Sequence, residues 1–129
     1  MREQRGSARG QSLVEFALLL PVLLLILLGV FDLGRVYNSY IVITNAARDG
    51  AYYGSMHSTD TTGIVQRVIT EAQGSGVNLT SSNVTVSTSG GVGNPLQVTV
   101  QLDFSMLSTF LLGRPTIHLT SRTEMVIVR

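Results

Sequence analysis

The chain has 129 residues, enough for one small domain beyond whatever a membrane takes up. It has no cysteine, so disulfides cannot stabilise it, and packing, a membrane or partners must do so instead. The formal net charge is only +1 and all nine cations are arginines, a balance that gives no support for nucleic-acid binding, which needs a basic face. Three arginines, Arg2, Arg5 and Arg9, fall within residues 1–10, which read as a basic cytoplasmic leader. The rest of the chain has six arginines against seven acids and is nearly neutral.

Residues 16–31 read FALLLPVLLLILLGVF, bracketed by Glu15 and Asp32. Thirteen of these sixteen are Leu, Ile, Val or Phe. Together they favour membrane insertion by about −4 to −8 kcal/mol. Glu15 opposes that by at most about 3 kcal/mol, and by less near the edge of the bilayer. Insertion therefore wins, and Leu13, Val14 and Leu33 extend the run toward a full span of about twenty residues, roughly 13–33. The arginine bias places the N-terminus inside and residues after about 33 outside a cytoplasmic membrane. The competing reading is a cleavable secretory signal, but no small-x-small pattern follows the run. Pro21 lies inside it, has no N–H for the carbonyl of Ala17, and is expected to kink or loosen the helix there.

Beyond Asp32 the pattern stays helical. Leu33, Val36, Tyr40, Ile43, Ala47 and Ala51 recur at steps of three and four and predict one apolar stripe. One long helix is expected from about Ser12 to Tyr53, ending near Gly54, within a unit spanning 11–54. The extracytoplasmic unit is then 55–129. In it, residues 62–73 place Ile64, Val65, Val68, Ile69 and Ala72 on one helical face, with Asp60 or Thr61 as N-cap and Gly74 as the stop. Residues 83–88 alternate as a short strand with Val84 and Val86 inward. Residues 96–104 alternate cleanly, with Leu96, Val98, Val100, Leu102 and Phe104 on one side. SGGVGNP between them is a loop by composition, and a last strand covers about 117–128. The expected fold class is α+β: a long N-terminal transmembrane helix extending into a small domain with a second helix and a three-stranded antiparallel sheet.

The junction ARGQSLVEFALLLPVLLL places Glu15 fifth after Gly10. Glycine followed by a lone carboxylate at the fifth position of an apolar helix resembles a type IV prepilin processing site. The longer pattern resembles the TadE-like family of tight-adherence (Flp-type) pilus assembly proteins. The matching residues are Gly10, Val14-Glu15-Phe16-Ala17-Leu18, Pro21, the exit Gly29…Asp32-Leu33-Gly34-Arg35, and Asn45-Ala46-Ala47-Arg48-Asp49-Gly50-Ala51. The resemblance covers residues 10–54 and is looser beyond, where the strand pattern and the ending LTSRTEMVIV look similar. It implies a minor pseudopilin or pilus-associated protein, cut by a membrane prepilin peptidase between Gly10 and Gln11. The chain departs from pilins in carrying Gln11, where Phe or Met is common. Cleavage would create an amine at Gln11 with which Glu15 of a neighbouring subunit could pair, since an unpaired carboxylate in an apolar helix is costly. The bland alternative is that Glu15 marks the interfacial end of a signal anchor and touches only headgroups.

Other constellations are weaker. His57 and His118 are the only histidines, and no metal-ligand spacing involves them. Ser55, His57 and Asp60 are triad types crowded into six residues, which reads as a polar loop. The glycines at 74–76 and 90–93 are turns, because a phosphate loop needs a lysine and the chain has none. Residues 104–115, FSMLSTFLLGRP, are apolar without alternation. Met106, Leu107, Phe110, Leu111 and Leu112 are expected to cover the sheet or, alternatively, to form a partner patch. No catalytic site, metal, cofactor, nucleic acid or small-molecule substrate is expected. The expected partners are the membrane, other pilin or pseudopilin subunits and a prepilin peptidase. The alternative function is a signal-anchored binding or sensor module unrelated to pili.

Overall fold

The computed structural model describes residues 7–108, 113 and 116–129, with side chains from Gly10 onward. Helix α1 spans Ser7–Met56, 50 residues, so it is about 75 Å long. It runs through Pro21 without interruption and exceeds the expected helix at both ends. Leucine and alanine supply its propensity, and no second proline interrupts it.

Its two halves have different surroundings. From Leu13 to Val30 the large apolar side chains are exposed, except Leu28, which is half-buried. From Asp32 onward one face is covered. Val42, Ile43, Ala46, Ala47 and Ala51 are buried there, with Asp32, Ser39 and Ser55 beside them. The expected stripe needs correction at two positions: Leu33 is 65% and Tyr40 45% exposed. The inner face is centred one residue earlier, on Asp32 and Ser39. A polar residue in an amphipathic helix is read as solvent-facing, so these two side chains concealed the true face.

The chain turns after Met56, with the N–H of Asp60 bonded to the carbonyl of His57 at 3.0 Å. Helix α2, Thr61–Gly74, starts on Asp60, whose carboxylate accepts from the N–H of Gly63 at 2.9 Å. It buries Ile64, Val68 and Ala72, and Val65 and Ile69 pack at the edge of the core. Gly76, at φ +83°, turns the chain away in a conformation that favours glycine.

A short 3₁₀ turn, Ser81–Asn83, leads into β1, Val84–Thr88. Strands β2, Pro95–Ser105, and β3, Thr116–Val126, complete an antiparallel meander in the order β1-β2-β3. Val84 lies opposite Val100 and Val86 opposite Val98. On the other side Val100 lies opposite Ser121, Leu102 opposite Leu119 and Phe104 opposite Ile117. These residues share the face turned to the helices, because side chains alternate along a strand. Gln101, Asp103, His118, Thr120 and Arg122 point the other way and are exposed. The α+β expectation, with a second helix and three antiparallel strands, therefore holds.

The lengths of helix and sheet match. From Asp32 to Ser55 the helix rises about 35 Å, and the 11 residues of β2 span about 36 Å. At one end the C-terminal residues meet the top of α1: the N–H of Val128 bonds to the carbonyl of Ser55 at 2.8 Å. At the other end the turn after β2 arrives beside Asp32.

Candidate functional site along the first helix

The site residues expected from sequence fall along α1. Gly10 and Gln11 are helical and exposed, and nothing lies near the position a Cβ on Gly10 would occupy. Glu15 follows one helical turn after Gln11, and the Gln11 side-chain amide reaches its carboxylate at 3.5 Å, the outer limit of a hydrogen bond. Both lie on helix that no other part of the domain covers. Pro21 sits six residues further on, among exposed leucines.

Asp32 is the residue whose role the sequence concealed. It ends the apolar run yet is only 1% exposed. Its two carboxylate oxygens accept from the backbone N–H groups of Leu107, at 3.0 Å, and Ser108, at 2.8 Å. One turn above it, the Arg35 guanidinium approaches the same carboxylate at 3.6 Å and lies over the Phe104 ring, 5.0 Å from its centroid. The helix exit, the end of β2 and the following turn are thus joined by one ionic cluster. Hydrogen bonds to a charged acceptor are stronger than neutral ones, and they offset the cost of burying the carboxylate. In sequence the cluster had one visible half, the Asp32-Leu33-Gly34-Arg35 exit. The other half is backbone amide, which carries no side-chain signature.

The turn that Asp32 holds belongs to the apolar stretch 104–115. Met106 packs at the edge of the core, whereas Leu107 is 50% exposed. The expected patch is therefore divided at its first two members. Phe110, Leu111 and Leu112 lie outside the described residues.

Further along α1, small residues let α2 approach. A Cβ on Gly50 would collide with the Val68 side chain, and one on Gly54 would lie 2.9 Å from both Ile64 and Leu96. Asp49 accepts from Nε of Arg67 at 2.7 Å across the same seam. The run Asn45-Ala46-Ala47-Arg48-Asp49-Gly50-Ala51 thus has a local physical role: alanine and glycine admit the second helix, and Asp49 fixes its register. At the top, the Tyr53 hydroxyl donates to Asp60 at 3.0 Å. That bond, with some burial and the nearby negative charge, pushes the Tyr53 hydroxyl above its ordinary pKa.

Among titratable residues elsewhere, Asp103 and His118 are brought together at 2.5 Å as a cross-strand pair. Both side chains are exposed on the open face of the sheet rather than in a cleft. His57 stacks on Tyr53, 4.5 Å between ring centres. Among the described residues no group of three or more His, Asp or Glu converges as metal ligands would.

Helix α1 is long and apolar enough to cross a membrane. Comparison with curated proteins and with solved structures gives no match. A family model does match, over residues 10–51, and its description is TadE-like protein. The matched segment begins at Gly10, passes Glu15, Pro21 and the Asp32 cluster, and ends in the small-residue seam against α2. From Gly10 to Ala51, then, the first helix of this chain is TadE-like.

Proposed function

We propose that the chain is a membrane-anchored, pseudopilin-like component of tight-adherence (type IV-related) pilus assembly, acting through contacts rather than chemistry. The observation that carries this reading is the TadE-like match along a helix whose first half is apolar and uncovered. Exposed leucine over that length is stable only in lipid or against other helices. In this reading α1 crosses the cytoplasmic membrane once, with residues 1–10 inside and the α+β domain outside. A prepilin peptidase removes residues 1–10, leaving Gln11 as the new N-terminus. Glu15 then meets the Gln11 amine of a neighbouring pilin or pseudopilin subunit. Apolar helices have little hydrophobic drive to associate within lipid, so a desolvated charge pair supplies both attraction and register. Above the span, Tyr37, Tyr40, Ile41 and Tyr52 leave a second, partly apolar face of α1 exposed for lateral contacts.

The test is the mass and N-terminal residue of the mature protein, from a host with the matching peptidase and from one without it. A chain beginning at Gln11 only where the peptidase is present supports pilin-type processing. A chain that always retains residues 2–10 leaves a plain signal anchor, and the binding or sensor module becomes the better reading.

A further inference from the structure

The Asp32 cluster fixes where the lower end of the sheet sits relative to the apolar span. A hydrocarbon core about 30 Å thick takes about twenty helical residues. Counted back from Asp32, twenty residues reach Leu13, where the exposed apolar side chains begin. Asp32 therefore stands at the outer boundary of the apolar layer. The N–H groups of Leu107 and Ser108 lie within 3.0 Å of its carboxylate, so the turn at 106–108 stands at the same depth. It reaches that depth because β2 is as long as the helix between Ser55 and Asp32.

The chemistry at this level suits a lipid boundary. Phe31, Leu33 and Leu107 are exposed, and they belong to two different elements. The backbone N–H groups of the turn, which would be costly to bring against lipid unpaired, are already bonded to Asp32. The Arg35 side chain is 40% exposed one turn higher, at headgroup level; its buried Nη1 lies 3.6 Å from the Asp32 carboxylate, and the rest of the side chain carries the exposure. With its guanidinium lying over Phe104, the exposed edge of the arginine can meet phosphate. The outer face of the sheet, with Gln101, Asp103 and His118, is polar and suits water.

We infer that the turn Met106–Ser108, latched to Asp32, is a second membrane contact. Leu107 enters the headgroup–acyl boundary of the outer leaflet beside Leu33, and the Arg35 guanidinium faces lipid phosphate. The partner is the bilayer itself. With two contacts instead of one, the domain cannot swing freely about the helix exit, and the outward face of α1 is presented at a defined angle. The inference rests on the reading of α1 as a membrane span.

The absence of cysteine makes the test direct. Nitroxide labels are placed singly on the full chain as Leu24→Cys, Leu107→Cys and Gln101→Cys, reconstituted in vesicles of phosphatidylcholine and phosphatidylglycerol. Collision with oxygen reports apolar depth, and collision with an aqueous nickel chelate reports water. The expected result is oxygen without nickel at 24, nickel at 101, and at 107 a several-fold loss of nickel collision with oxygen retained. Adding Asp32→Ala to the Leu107→Cys chain should restore nickel collision at 107 while leaving 24 unchanged. If 24 is protected but 107 matches 101, the second membrane contact does not exist and the span stands. Shielding of 107 from both reagents would place a protein, not lipid, on this turn and overturn the inference. Nickel access at 24 would remove the span, and the inference with it.

Discussion

The carboxylate of Asp32 and the backbone N–H of Ser108, 76 residues apart in sequence, are joined at 2.8 Å. The Asp32 bonds to Leu107 and Ser108 close the lower end of the domain as the Ser55–Val128 bond closes the upper end. Asp32→Ala should therefore release the turn locally before it unfolds the core. The amides of Leu107 and Ser108 should exchange with deuterium at least an order of magnitude faster, while the amides of Val98 and Val100 stay protected. Arg35→Ala leaves both Asp32 bonds in place and should have the smaller effect. Unchanged exchange at Leu107 and Ser108 in Asp32→Ala would mean that the latch does not hold the turn.

Gly50 faces Val68 so closely that even one methyl collides with it. Alanine at a helical glycine ordinarily gains up to about 1 kcal/mol. Here overpacking, typically about 1–3 kcal/mol, should outweigh that gain, because a valine side chain has little rotameric freedom with which to move aside. Gly50→Ala is expected to lower stability in detergent, and Gly50→Ala with Val68→Ala to be more stable than the sum of the single losses implies. Additive losses would place the seam elsewhere.

Ile64 is fully buried beneath α1 and beside Leu96. Ile64→Ala should cost about 2–5 kcal/mol through lost burial and the cavity left behind. Thr62→Ala, at an exposed position of the same helix, should change stability by less than about 0.5 kcal/mol. Chemical denaturation of the two variants side by side measures the difference.

The Tyr53 hydroxyl donates to Asp60, and its pKa is raised chiefly by that bond. A group whose folded pKa lies above its unfolded one stabilises the fold below the unfolded value, about 10 for tyrosine, and loses that contribution as pH rises through the folded value. Stability should therefore fall above about pH 10 more steeply in the native chain than in Tyr53→Phe. In Asp60→Asn, which keeps a helix-capping side chain, the Tyr53 absorbance transition should move to lower pH. A transition that does not move would show that Asp60 is not the cause.

Glu15 lies on an uncovered face near the N-terminal end of the apolar run. Glu15→Gln keeps size and removes charge, so membrane insertion should persist or improve. Cross-linking to neighbouring subunits through the first turn of the mature helix should be lost if the carboxylate pairs with a subunit amine. Cross-linking retained in Glu15→Gln would assign Glu15 to the headgroups.

Local periodicity carries most of the fold because it is a property of neighbouring residues. The uncharged run 16–31, the 3-and-4 spacing of Ile64, Val68 and Ala72, and the alternation of Leu96, Val98 and Val100 each declare an element. The glycines between Thr88 and Pro95 mark the turn, and a meander is the simplest way to join what remains. Residues 10–51 were legible as TadE-like for the same reason: the pattern is contiguous and lies on a single helix.

Which face of that helix turns inward was decided only by tertiary structure. Asp32 and Ser39 look like solvent residues in an amphipathic pattern, and only the packing of the domain against the helix makes them interior. The partners of Asp32 are main-chain amides of Leu107 and Ser108, a group every non-proline residue has, so no sequence pattern can point to them. The length match of strand and helix brings those amides down to the end of the apolar run. Composition by itself determined that the helix needs lipid or partner helices around its first half; the packing of sheet against helix decided how the domain stands beside it.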